Sequence, residues 1–164
     1  MAKVVYNACF GGFGLSARGL KRYAELKGRE CYFFIYGRKR EGGLDINARV
    51  PVSVERADTE LWWHAYDIPN PHEVLPSQEN WSEMTPEERV RSNEEYDKHL
   101  LNVGDIPRTD PHLIQVIEEL GDAASDEHSV LQIRDVPAGT KYRIDEYDGN
   151  ESVMTIDDYK WKTA

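Results

Sequence analysis

Three short runs of strand-forming residues follow one another between Val130 and Asp158, and the way they are joined restricts the fold more than any other feature. The runs "VLQIRDV", "KYRIDEY" and "SVMTIDD" are separated only by "PAGT" and "DGNE". Both linkers carry hairpin turn signals, whereas parallel pairing would need a crossover of a dozen residues or more. The spacing therefore predicts an antiparallel meander of three strands. Directly before it, "TDPHLIQVIEELG" predicts a helix with Asp110 as N-cap, Pro111 in its first turn and Gly121 as terminator. Its apolar stripe is Leu113, Ile114, Val116, Ile117 and Leu120, and a sheet face is the natural surface to receive it.

The other end of the chain opens with a strand, Lys3 to Cys9, a glycine cluster "GGFG", and a helix capped by Ser16 that runs to Leu26 before Gly28. Gly12, Gly14 and Ala17 fit the G-x-G-x-x-A form of the dinucleotide fingerprint, with Arg38 placed after the next strand where a 2′-phosphate partner would sit. A doubly wound fold needs further strand–helix–strand units, and none follows. "CYFFIY", Cys31 to Tyr36, reads as a buried central strand, "GRKREGG" as a turn, and "ARVPVSVER" as an edge strand because of Pro51. Asp67 to Glu83 reads as a long loop, and "TPEE" at Thr85 to Glu88 as a capping box opening a polar helix to about Leu101. The expectation is an α+β fold: a single ligand-binding domain over residues 1–164, with an antiparallel sheet whose C-terminal three-stranded meander packs against two or three helices. Residues 41–105 form its loop-rich middle segment.

With 164 residues, 40% of them hydrophobic, the chain has enough apolar surface for a core without disulfides or a structural metal. Cys9 and Cys31 sit in separate strand candidates and read as reduced core residues. The N-terminal apolar run is too short for a signal peptide and no run reaches membrane-spanning length, so a soluble cytoplasmic protein is expected. The net charge of −10 argues against affinity for DNA, RNA or an anionic membrane. Against that background Arg18, Lys21, Arg22, Lys27, Arg29, Arg38, Lys39 and Arg40 form a basic island, which suits a small anion better than a polyanion. The five histidines lack metal-ligand spacing, and no nucleophile has a nameable base, so no metal, cofactor or catalytic residue is expected. Trp62, Trp63 and His64 form an aromatic cluster able either to stack on a base or to cover a core.

"VVYNACFGGFGLS" (Val4 to Ser16), "IPRTDPHLIQVIEELGDAAS" (Ile106 to Ser125) and "YRIDEYDGNE" (Tyr142 to Glu151) resemble a family of small phage-encoded proteins, the Thoeris anti-defence sponges of the first described type. The resemblance covers both ends of the chain, and residues 41–105 are atypical of that family. It implies a protein that is not an enzyme. Such a protein works in the host cytoplasm by sequestering cyclic ADP-ribose isomers made by bacterial TIR-domain immune enzymes, and in some members cyclic oligonucleotides as well. It also implies a homo-oligomer with ligand sites between subunits. For such a ligand, chemistry nominates Arg18, Arg22, Arg108 and Arg143 as phosphate partners, since guanidinium forks match phosphate oxygens. Phe13, Tyr142 or Tyr147 would stack on adenine and Asn7 would read its edge. The alternatives are a nucleotide-processing enzyme and an acidic protein that inhibits a host factor by direct contact.

Overall fold

The computed structural model of the protein describes residues 1–77 and 80–159. In chain order the elements are β1 (Ala2–Asn7), α1 (Ala17–Leu26), β2 (Tyr32–Arg38), β3 (Leu44–Val52), α2 (Val54–Ala57), β4 (His64–Tyr66), α3 (Pro71–Val74), α4 (Pro86–His99), α5 (Pro111–Leu120), β5 (Leu131–Val136), β6 (Tyr142–Tyr147) and β7 (Asn150–Thr155). The protein is α+β, and its described ladders are antiparallel. Its chain divides into two compact units, Met1–Leu26 with Val103–Ala164, and Lys27–Asn102. None of the described helices is long and apolar enough to cross a membrane.

In the first unit the expected meander is corrected. β6 and β7 form a hairpin, but β5 leaves them and pairs with β1, from Ala2↔Val136 to Asn7↔Leu131. The turn at Pro137–Thr140 closes as its sequence predicts, through the Thr140 N–H to Pro137 O bond. A turn fixes only the local reversal. β1 has Val4 and Val5 fully buried, so it lies under cover on both faces and takes β5 as its ladder partner. Val4, Val136 and Val153 then make one cluster, joining β1, β5 and β7. The two helices close this unit: Leu20 of α1 and Leu113 and Val116 of α5 are buried. Their ends are as expected, with Ser16 Oγ accepting the Gly19 N–H at 2.9 Å, Asp110 accepting from His112 N at 2.8 Å, and Gly121 at φ 56°. The β6–β7 turn is Asp148-Gly149 with φ of 50° and 82°, the left-handed pair that a two-residue hairpin demands.

Across the α1–α5 contact Arg22 bonds both Glu119 oxygens, at 2.7 and 3.1 Å. That guanidinium, helped by Gln115, holds the Glu119 carboxyl down to about 2. A depressed carboxyl contributes stability that is complete above the ordinary carboxylate range and is lost as pH falls through its folded value. Arg22→Gln should therefore be less stable than the parent at neutral pH, with the gap shrinking below the ordinary carboxylate range and closing at about pH 1, as read by urea melts at neutral and strongly acidic pH. A gap that persists in strong acid would contradict the assignment.

The second unit carries the middle of the chain. β2 is central in the order β3-β2-β4, and β3, with Pro51, is an edge, both as the sequence predicts. Phe34, Tyr66 and Leu75 form its core, with Tyr96 and Leu100 packed against them. The capping box of α4 is present, Thr85 Oγ1 and Glu88 bonding each other's backbone N–H groups. The segment expected to be loop-rich thus holds two strands and three helices; α3 lies inside the loop expected over Asp67–Glu83, of which residues 78–79 fall outside the described residues.

Candidate functional site

The glycine cluster is a turn clamped by its neighbours. Gly12 has a φ of 91°, open to glycine and costly for other residues. Gly11 and Gly14 are required by close approach: a β-carbon on the first would overlap the His128 carbonyl and on the second the Asp126 carboxylate. Gly149 in turn abuts the backbone of Phe10 and Gly12. The opening of α1 is covered by the same chain. Ser16 N donates to Ala124 O, Ser16 Oγ donates to Ala123 O, and Ser129 Oγ donates to Gly14 O. Ser16 N and Gly19 N, groups that a phosphate at this helix start would use, are thereby taken by the chain itself, and the antiparallel β1–β5 ladder removes the dinucleotide-fold reading. Gly11→Ala should be the worst of the three alanine variants because it meets backbone. Gly12→Ala should cost on the order of 1 kcal/mol, and thermal melting of the set checks the ranking.

Behind this turn lies a buried polar knot. Asn7 is 0% exposed. Its Nδ2 donates to Cys9 O and Gly149 O, both at 2.7 Å, and its Oδ1 accepts from Val130 N at 2.8 Å, with Cys9 Sγ 3.3 Å away. The Asn7 N–H donates to Glu151 Oε2 at 2.8 Å, and Glu151 holds Arg108 by two bonds of 3.0 and 2.7 Å. The Arg108 guanidinium sits 3.3 Å above the Phe13 ring centre. Three predicted site residues, Asn7, Phe13 and Arg108, therefore meet. Both donors of the Asn7 amide and its oxygen are committed to the protein, so Asn7 cannot read an adenine edge, and Arg108 has Glu151 where a phosphate would sit. Glu151, which the sequence did not single out, is the centre of the knot.

The other predicted residues do not join them. Arg22 is held by Glu119 and Glu25, and Arg143 by Asp145 on its own strand. Arg18 is exposed on α1. Tyr142 and Tyr147, both exposed, stand at opposite ends of β6, roughly 17 Å apart at strand spacing. One base cannot stack on both.

A different constellation forms in the Lys27–Asn102 unit: a shallow groove of about 120 Å³ open to solvent. Ile35, Leu44 and Leu61 make its apolar part, Tyr36 and Trp62 supply flat rings, and Arg38, Arg56 and Glu60 supply charge. Trp63 packs inward, edge-on to Phe33 at 5.2 Å, while its neighbour Trp62 stays 68% exposed. His64 meets the Tyr36 ring edge-on at 4.9 Å. Burial, with Arg49 nearby, holds His64 below the usual imidazole range and so neutral. Ser53 caps α2 by accepting the Arg56 N–H at 3.2 Å, which fixes the backbone that carries Arg56. Arg56 pairs with Glu60, whereas Arg38 is exposed and has no ion pair among the described residues. Arg38 and the Trp62 cluster were each legible in the sequence. Their meeting was not, since a strand end and a loop some two dozen positions on come together only through the sheet.

Among the described residues no group of three or more histidine, cysteine, aspartate or glutamate side chains is placed to hold a metal ion. Compared with family models, with curated proteins and with solved structures, the chain finds no match.

Proposed function

We propose that the protein is a non-catalytic binder that sequesters a small cyclic nucleotide signal of the cyclic ADP-ribose class, as a phage anti-defence protein would. The observation that carries this reading is one groove lined by both the exposed Arg38 guanidinium, which has no ion pair among the described residues, and the exposed Trp62 ring. A nucleotide needs one fixed cation and one flat apolar surface, and the lining of the groove offers both. The basic island of the sequence contributes Arg38 to this site. The homo-oligomer implied by the resemblance belongs to the same proposal.

Each contact has a readable weight. A hydrogen bond to a charged group is worth about 1.5–3 kcal/mol and stacking of one base about 1–3 kcal/mol, so losing either should weaken binding by roughly ten- to a hundredfold. The test is calorimetric titration of cyclic ADP-ribose into the parent protein, Arg38→Glu and Trp62→Ala. Parent-like affinity in both variants would remove the groove as the site.

A further inference from the structure

The groove holds one feature that a simple phosphate site would avoid. Glu60 is the sole carboxylate among its lining residues, with its side chain 27% exposed, and it pairs with Arg56 from within the groove. Its backbone is set by the Glu60 N–H to Ala57 O bond of 3.0 Å at the end of α2, so the carboxylate is presented there by the fold. The pairing cancels the charge of Arg56 and leaves Arg38 as the groove's uncompensated cation among the described residues. A ligand offering phosphate alone would be attracted at Arg38 and would bring the Glu60 carboxylate no donor. A ligand that also carries hydroxyl groups would satisfy both, because an ionised carboxylate only accepts hydrogen bonds and sugar hydroxyls donate them.

We infer that Glu60 reads sugar hydroxyls, so that the groove selects a ribose-bearing phosphate over its deoxy counterpart and over phosphate alone. This rests on the groove being the nucleotide site proposed above. The ligand would lay its base on Trp62, its phosphate on Arg38 and its ribose edge on Glu60. Arg56 acts as a positioning residue, holding the carboxylate in place.

The inference is tested with four probes titrated into the parent protein: cyclic ADP-ribose, two analogues each lacking one hydroxyl of the adenosine ribose, and inorganic pyrophosphate. At least one deoxy analogue should bind about tenfold or more weakly, as expected for a lost hydrogen bond to a charged group. In Glu60→Gln that discrimination should shrink several-fold, and pyrophosphate should bind more tightly than to the parent because Arg56 is freed of its counter-charge. Equal binding of ribose and deoxy ligands by the parent, with both lost in Arg38→Glu, would overturn the role of Glu60 and leave the groove standing. If the parent binds none of the nucleotide probes, the groove reading fails and this inference fails with it.

Discussion

Asn7→Leu should unfold the first unit or bring it close to unfolding, although the two side chains are similar in size. The substitution removes both amide donors and the carbonyl that receives Val130 N, leaving Cys9 O, Gly149 O and the Val130 N–H without their partner. Stranding a buried polar group costs about 1–3 kcal/mol, and because these three bonds are only part-buried each falls toward the low end, for a total of about 3 kcal/mol. That is a large share of the about 5–15 kcal/mol by which domains are stable. Asn7→Asp should do nearly as badly, because a carboxylate has no donor for the two carbonyls and its charge would face them in a dry site. Denaturant unfolding of both variants checks this. Parent-like stability in Asn7→Leu would show that the knot is not what holds the three loops together.

Glu151→Ala should be comparably damaging, and its remedy is more informative than its damage. The change leaves the Arg108 guanidinium without its two bonds and Asn7 N without an acceptor. Removing one partner of a buried pair costs about 3–5 kcal/mol, whereas replacing both by apolar residues of similar volume is often near neutral. Glu151→Met combined with Arg108→Met should therefore recover part of the stability lost in Glu151→Ala, though not all, since Asn7 N stays unpaired. The contact of Arg108 with the Phe13 ring is lost only where Arg108 itself is replaced. A double variant less stable than both singles would show that the pair is not the source of the loss.

What the sequence could tell divides by distance along the chain. Asp110 capping α5, the Thr85–Glu88 capping box and the Asp148-Gly149 hairpin are readable because donor, acceptor and backbone conformation lie within a few residues of one another. The β1–β5 ladder is not, since β5 carries the same strand pattern whether it pairs with β6 or with β1. Glu151 was hidden for a related reason: its partner Asn7 is 144 positions away. Arginines were the weakest guide. Arg22, Arg108, Arg143 and Arg38 are equally good phosphate ligands as residue types, and only the fold shows that the first three are matched by carboxylates. In a chain with 30 acidic residues that outcome is common, and the informative residue is the cation left unmatched.

Sequestration and turnover differ in what the protein gives back. Purified protein is mixed with excess cyclic ADP-ribose, freed of unbound ligand, denatured by heat, and the released fraction is analysed by mass. Sequestration predicts that the nucleotide comes back intact, in an amount proportional to the protein used and saturating with ligand concentration, and that it raises the melting temperature of the parent more than that of Arg38→Glu. Recovery of linear ADP-ribose, or of no nucleotide at all, would contradict the account.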